Sequence, residues 1–166
     1  MGDGLDPAVT VGPVQNEMQF EKLKGLLGDI RANGQKIVLG GEIDEMTSGY
    51  FIPVTVVDNP PENSRIVQEE QFGPIVSIIG YDDIEDVIAR ANNSPFGLGG
   101  SVWGRDTKAA VSVATRLETG MVWVSEIQTQ GVDIPFGGHK QLGLGTEHGD
   151  EGRRLFTNPK TILIRK

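Results

Sequence analysis

The fold is decided by residues 74–125, which read PIVSIIGYDDIEDVIARANNSPFGLGGSVWGRDTKAAVSVATRLETGMVWVS. Three apolar segments of strand length alternate here with two segments of helical spacing. Pro74 to Tyr81 is a near-continuous apolar run, which is typical of a strand buried on both faces. Gly100 to Trp103 and Met121 to Ser125 are also predicted to be buried strands. This βαβαβ order predicts parallel strands with right-handed crossovers, and therefore an α/β fold.

The two helices of this stretch have recognisable ends. The first begins at Asp82, where Glu85 completes a capping box, and it ends before Pro95. The second begins at Asp106 and stops at Gly120. Both repeat apolar residues at i, i+3, i+4 and i+7, as a helix with one buried face requires: Ile84, Val87, Ile88 and Ala91 in the first, and Ala110, Val113, Ala114 and Leu117 in the second.

A further helix and two strands precede this stretch. Asn16 is the predicted N-cap, Gln19 completes its capping box, and Gly34 suits the C-terminal cap. The apolar positions of this helix again follow the helical spacing: Leu23, Leu26, Leu27 and Ile30. Lys36 to Leu39 reads as a short strand. Phe51 to Val57 contains Pro53, which predicts an edge strand or an irregular strand.

The residues after 125 are rich in glycine. The whole chain has 23 glycines in 166 residues, about twice the usual share of roughly 7%, and many fall in Gly131 to Gly152. Long loops of this kind are usually functional or disordered. A weaker helix is predicted from about Thr146 to Phe156, and Thr161 to Arg165 reads as a last strand.

Composition excludes several classes of function. A formal net charge of -8 argues against nucleic-acid binding, which rests on Lys and Arg against phosphate. With no cysteine, the 166 residues hold no disulfide or thiolate metal site, and His139 and His148 fit no metal motif. No apolar run approaches the roughly 20 residues of a membrane span. We therefore expect a cytoplasmic protein that binds neither nucleic acid nor membrane. The length of the chain predicts one domain.

Two segments carry residues suited to ligand binding. In Glu69-Glu-Gln-Phe-Gly-Pro74 a carboxylate could accept sugar hydroxyls and the phenyl ring could pack on a planar heterocycle. The residue types by themselves favour the alternative, a turn with two solvated acids and a core Phe. In Pro135 to Gly145 a glycine-rich loop follows the strand Val122 to Ser125. Ligands bind at such positions in open α/β sheets; the alternative is a mobile surface loop.

Seven stretches in colinear order resemble the C-terminal third of NAD(P)-dependent aldehyde dehydrogenases. They are Gly12-Pro-Val-Gln-Asn, Gly49-Tyr-Phe-Ile-x-x-Thr-Val, Glu69-Glu-x-Phe-Gly-Pro, Ala91-Asn-Asn-Ser-x-x-Gly-Leu, Gly120-x-Val-Trp-Val, Pro135-Phe-Gly-Gly-x-Lys-x-x-Gly-x-Gly and Lys160-Thr-x-x-Ile. The resemblance covers the chain from about Gly4 onward, and its strength lies in the number of motifs with matching gaps.

This resemblance implies a set of site residues and a cofactor. Glu70 would accept the ribose hydroxyls of the nicotinamide riboside of NAD or NADP, and Phe72 would back the nicotinamide. Phe136 would line the aldehyde tunnel, with Leu98 near the same site. Ser125, where the family usually has Asn, and Leu142, where it has a small Ser or Thr, are departures that bear on substrate preference.

The family's nucleophile is a cysteine that attacks the aldehyde, and hydride then passes to the cofactor. No cysteine is present here. We therefore expect residues 1–158 to be the C-terminal part of a three-layer catalytic domain with a mostly parallel sheet, without the cysteine-bearing part or the dinucleotide-binding domain. Residues 159–166 would be an oligomerisation strand. No catalytic residue and no metal ligand is expected, cofactor binding by the chain alone should be weak or absent, and the chain alone should be inactive.

A second hypothesis makes the chain a non-catalytic assembly module. Its terminal strand would pair with another copy or with a full-length relative, because a strand edge offers unpaired backbone groups. A third hypothesis, a nucleotide-binding protein, is weaker, since no glycine motif for cradling phosphates is found. The aldehyde would be a substrate of the parent enzyme.

Overall fold

The computed structural model describes residues 1–44, 46, 48–142 and 144–165. Gly143 of the glycine-rich motif and Lys166 of the terminal segment lie outside the described residues. The chain forms two compact units, Met1–Gly80 and Tyr81–Lys166. Each contains helices together with paired strands, which confirms the predicted α/β class.

The first unit is a three-stranded sheet with two helices. Its elements are α1 (Glu17–Ala32), β1 (Lys36–Leu39), β2 (Thr55–Asp58), α2 (Arg65–Gln68) and β3 (Ile75–Ile78). The strand order is β1-β2-β3, with β1 antiparallel to β2 and β2 parallel to β3. In the element order β2 follows β1 directly, which allows antiparallel pairing, whereas β3 follows β2 after a crossover through α2, as parallel pairing requires.

Helix α1 supplies half of the buried core residues of this unit. The Asn16 side chain accepts a hydrogen bond of 2.9 Å from the Gln19 backbone N–H, which confirms the predicted start, and Gly34 adopts a φ of 63° just beyond the helix. The four predicted apolar positions are fully buried and pack with Ile52, Val57, Ile66 and Ile75. Burial of each such side chain contributes about 1.5–3 kcal/mol.

Two predictions about the strands of this unit need correction. The segment Phe51 to Val57 is predicted to be an edge strand or an irregular strand. The edge alternative is wrong, because β2 is the central strand and Pro53 precedes its paired residues, so that it removes no ladder hydrogen bond. The irregular alternative agrees with the register shift in the β1–β2 pairing between Ile37 and Leu39. The apolar run around β3 was expected to be buried on both faces. Ile75 is buried, whereas Val76 and Ile78 are exposed, so within this chain β3 covers a core on one face only.

The second unit contains α3 (Ile84–Asn92), β4 (Gly99–Val102), α4 (Thr107–Ala114), β5 (Met121–Val124) and α5 (Gly149–Leu155). Strands β4 and β5 are parallel and joined through α4, as predicted. Their side chains are intermediate or exposed rather than buried on both faces. Strands β3 and β4 belong to separate sheets, so the predicted continuous βαβαβ sheet is wrong at that crossover.

Aspartates cap the N-terminal ends of α3 and α4. Asp106 caps α4, as predicted, by accepting from the Lys108 and Ala109 N–H groups. Helix α3 begins one residue later than predicted, because Asp83 rather than Asp82 accepts from the N–H groups of the first turn. Adjacent aspartates are chemically equivalent as caps, and the sequence alone does not distinguish them.

The terminal segment is extended and exposed. Helix α5 is shorter than the predicted span, and residues 158–165 form no strand with any described part of the chain. Ile162, Leu163 and Ile164 are each more than 70% exposed. The predicted strand Thr161 to Arg165 is therefore not formed within the single chain, since a strand requires a partner; its pairing with another subunit stays a prediction.

Candidate functional site

The acidic segment Glu69–Pro74 connects α2 to β3. Glu69 turns back to its own helix, where its carboxylate accepts from Arg65 at 2.6 Å and 3.0 Å. The hydrogen bond from the guanidinium lowers the pKa of Glu69 below its ordinary value, because it favours the ionised carboxylate. Glu70 is exposed, and among the described residues no group donates to its carboxylate. The two adjacent acids therefore have different roles.

Phe72 adopts a conformation unusual for its residue type. Its φ of 50° lies in the left-handed region, which costs a non-glycine residue about 1–3 kcal/mol unless the surroundings hold it. The ring is 72% exposed, so the interpretation of a core Phe is wrong. Neither the left-handed backbone of Phe72 nor the exposure of its ring stabilises this unit. Stability of the unit therefore does not explain the conformation of Phe72.

One face of α1 holds this segment. Gln19, Lys22 and Leu23 lie three and four residues apart and so share a face. The Gln19 side-chain amide donates to the carbonyls of Gln71 and Phe72, the latter at 3.3 Å. The Lys22 ammonium donates to the Glu70 carbonyl at 2.8 Å.

Gly73 completes the attachment by close packing. A Cβ on Gly73 would lie 2.4 Å from the Leu23 side chain, so the backbone approaches the helix as only glycine allows. The segment is thus fixed through its backbone, while the Glu70 carboxylate and the Phe72 ring are left exposed. A carboxylate can accept two hydroxyl hydrogen bonds and a phenyl face can pack on a planar ring. These two side chains suit a ligand in which a diol lies next to a planar ring.

The second predicted segment, the glycine-rich loop, lies in the other unit. Phe136 is half-buried and exchanges two backbone hydrogen bonds with Glu147, at 2.8 Å and 2.7 Å. Gly137 and Gly138 follow it and pack against the backbone of Gly120. The loop from 136 to 142 is therefore built into the unit, which disfavours the alternative of a mobile surface loop.

Leu98 is brought into the same cluster by its neighbour Gly97. The Gly97 carbonyl accepts from the N–H groups of Gly120 at 3.0 Å and His139 at 2.8 Å. Leu98 itself is partly exposed just before β4. The loop that carries Phe136 and the turn that carries Leu98 are thus joined by backbone hydrogen bonds.

Two residues that position this cluster, Asn92 and Lys140, are not among the predicted site residues. Asn92 accepts from the Glu118 N–H and donates to the Arg116 carbonyl, both at 2.9 Å. The Lys140 ammonium donates to the Asn92 carbonyl at 2.7 Å and lies 2.9 Å from the Glu118 carboxylate. Both residues stand in the stretches that carry the family resemblance, and that was the available signal.

Other chemistries find little support in the described part of the chain. No group of three or more His, Asp or Glu residues is arranged there to hold a metal ion. No helix among the described residues has both the length and the apolar character needed to cross a membrane.

Comparison with known proteins identifies relatives along almost the whole chain. The model of the aldehyde dehydrogenase family matches residues 1–162. A putative aldehyde dehydrogenase FUS7 of Gibberella fujikuroi is 41% identical over 97% of this chain and 35% of its own length. A betaine aldehyde dehydrogenase of Rhizobium leguminosarum bv. trifolii is 39% identical over 99% of this chain and 34% of its own length.

The fold is matched equally well. A crystal structure of Mycobacterium tuberculosis aldehyde dehydrogenase complexed with NAD+ superimposes with a TM-score of 0.92 at 37% identity. The match covers 99% of this chain and 34% of that protein. The chain therefore spans about a third of the length of the relatives it matches.

Proposed function

This chain belongs to the aldehyde dehydrogenase family, and on that premise we propose that it supplies part of the cofactor and aldehyde walls of an NAD- or NADP-dependent aldehyde dehydrogenase. The bound cofactor would provide the hydride acceptor. The chain would contribute Glu70 and Phe72 to the nicotinamide riboside site, and Phe136 and Leu98 to the aldehyde site. The reaction class is oxidation of an aldehyde to a carboxylic acid.

The observation that carries the proposal is the exposed, left-handed Phe72 beside Glu70, whose carboxylate accepts no hydrogen bond from any described residue. Folding energy alone favours burying a phenyl ring and relaxing its φ. Here three groups of α1 instead hold the backbone of residues 70–73. This arrangement suits a ligand with a flat heterocycle next to a diol, as in nicotinamide riboside. Complexes of relatives with NAD+ support the assignment.

The second wall rests on the glycine-rich loop. The missing side chain of Gly120 permits the close approach of the Gly137 and Gly138 backbone, and Lys140 ties the loop to Asn92. Phe136 is thereby held half-buried at a fixed place. We propose that its ring forms one side of the channel that admits the aldehyde, with Leu98 nearby.

We also propose that these 166 residues correspond to the C-terminal third of the parent enzyme, with residues 1–158 in the catalytic domain and 159–166 in the oligomerisation strand. Because none of the 166 residues is a cysteine, the chain by itself should not oxidise aldehydes by the family's covalent route. Cofactor affinity of the chain alone should be weak, since no glycine-rich phosphate site was found.

A two-part experiment tests this function. The purified chain is assayed with NAD+ and NADP+ and a panel of aldehydes, and no NADH or NADPH should form. In parallel, the aligned segment of the Rhizobium leguminosarum betaine aldehyde dehydrogenase is replaced by this chain. That chimera should oxidise aldehydes with a nicotinamide cofactor. A folded chimera without activity, or turnover by the isolated chain, contradicts the proposal.

A second candidate function, assembly through the terminal segment, is favoured by one observation. Ile162, Leu163 and Ile164 are exposed, and residues 158–165 pair with no described strand. Association with a second copy or a full-length relative would bury these side chains and pair their backbone groups. Light scattering after size-exclusion chromatography should show oligomers that Leu163→Asp abolishes. A monomer at all concentrations, with or without a relative present, contradicts this role.

A further inference from the structure

We infer that Gln19 is a positioning residue for the cofactor wall: its side-chain amide holds Phe72 in the left-handed conformation that displays the ring. The inference deepens the proposed function and rests on it. No motif quoted for the family resemblance includes Gln19, and the sequence predicted for it only a capping role. In the structure the amide leaves the helix and donates to the Gln71 and Phe72 carbonyls.

The geometry makes this contact specific to the strained residue. A left-handed residue turns the carbonyls on either side of it in directions that extended backbone does not. Both carbonyls that flank the Phe72 N–Cα–C unit, those of Gln71 and Phe72 itself, converge on the one Gln19 amide nitrogen. An NH₂ group carries two hydrogens and can serve both acceptors. Relaxation of Phe72 to an extended φ would separate the two carbonyls and break the pair.

The remaining contacts do not perform the same task. The Lys22 ammonium binds the Glu70 carbonyl, two residues before Phe72. The Leu23 side chain packs against Gly73 so closely that no Cβ fits there, but this contact is not a hydrogen bond. The Gln71 side chain donates to the Ile66 carbonyl and ties the segment to α2. Among the described residues, Gln19 has the side chain that donates a hydrogen bond to the Phe72 backbone.

Substitution of Gln19 by glutamate separates positioning from helix stability. Position 19 is the third residue of α1, where glutamate satisfies a capping box and where an acid interacts favourably with the helix dipole. The Gln19→Glu side chain has the same length but no N–H to donate, and its carboxylate faces two carbonyl oxygens. We therefore expect the thermal stability to be kept while the conformation of Phe72 is lost.

The test uses isotope-labelled full-length chain without cofactor. NMR couplings and chemical shifts that report φ are measured for Phe72 in the wild type, in Gln19→Glu, in Gln19→Met and in a matched control, Gln15→Met, at the exposed residue before the cap. The left-handed population should fall at least about threefold in both Gln19 variants, because both lack the amide donors, and it should stay unchanged in the control. Melting temperatures should agree within about 3 °C.

Two results overturn the inference: a left-handed Phe72 retained in folded Gln19→Glu, or loss of it that merely parallels global unfolding in both Gln19 variants. Since the measurement requires no cofactor and no turnover, its outcome is independent of the dehydrogenase assay. If the chimera is inactive but Phe72 loses its left-handed conformation in the Gln19 variants, only the proposed function is rejected. If the chimera is active but Phe72 keeps that conformation in the Gln19 variants, only the role of Gln19 is rejected.

Discussion

Gly120 and Gly137 meet backbone to backbone: a Cβ on Gly120 would lie 1.5 Å from the Gly137 carbonyl oxygen. No L side chain can be accommodated at that distance without moving one of the two segments. One segment leads into β5 and the other carries Phe136. The contact therefore couples the position of the proposed aldehyde wall to the parallel strand pair.

The first prediction follows from this contact. Gly120→Ala should lower the free energy of unfolding by about 3 kcal/mol, because the added methyl forces the loop away from the strand. Urea denaturation measures the change. Gly104→Ala is the matched control, since its Cβ would meet only ordinary contacts of 3.7 Å or more. Equal stability of the two variants would show that the backbone contact does not exist.

The second prediction concerns the Lys140 ammonium. Lys140→Met keeps a side chain of similar length but removes the hydrogen bond to the Asn92 carbonyl and the ion pair with the Glu118 carboxylate. The loss should be about 1 kcal/mol, because solvent screens both contacts of the ammonium. Lys108→Met, at an exposed position of α4, is the control and should change stability little. If the two variants lose the same amount, Lys140 does not anchor the loop.

The third prediction concerns the backbone strain at Phe72. At a φ of 50°, Gly should be preferred over Ala by about 1 kcal/mol, because alanine keeps the Cβ that clashes in the left-handed region. Phe72→Gly should therefore be more stable than Phe72→Ala in urea denaturation. At an ordinary position the order is reversed. An alanine variant more stable than the glycine variant would mean that Phe72 is not held in this conformation.

The fourth prediction concerns pH. The Arg65 hydrogen bond lowers the pKa of Glu69, so this interaction stabilises the folded chain above the unfolded pKa of about 4.3 and is lost as the pH falls through the lower folded value. Carboxyl NMR titration should show the pKa of Glu69 rising toward its ordinary value in Arg65→Met. Lys24→Met removes a different helical ion pair, and the pKa of Glu69 should be the same in this variant as in the wild type. An unshifted Glu69 in Arg65→Met contradicts the assignment.

Local structure was predictable from the sequence wherever a single chemical rule decides it. Asn16 and Asp106 act as caps because their side chains satisfy N–H groups within three residues. The buried face of α1 follows from the spacing of four leucine and isoleucine residues. The parallel pairing of β4 and β5 follows from the helix between them.

The predictions that failed depend on long-range partners. Pro53 predicted an edge strand or an irregular strand, yet the ladder of β2 begins after it, and only the pairing with β1 and β3 shows that β2 is central. The apolar character of β3 did not disclose that Val76 and Ile78 are exposed in this chain. The role of Gln19 required the contact with residues 71 and 72, 52 and 53 positions away, which no local pattern contains.

The most direct test of the central claim, that Glu70 binds the nicotinamide riboside, is the KM for NAD+ of the chimera carrying Glu70→Gln. Loss of a charged acceptor for hydroxyl donors should raise this KM at least about tenfold, with the KM for the aldehyde unchanged. Glu69→Gln is the matched control, because that carboxylate faces Arg65, and its KM values should stay near wild type. An unchanged KM for NAD+ in Glu70→Gln, or an equal rise in Glu69→Gln, would contradict the claim.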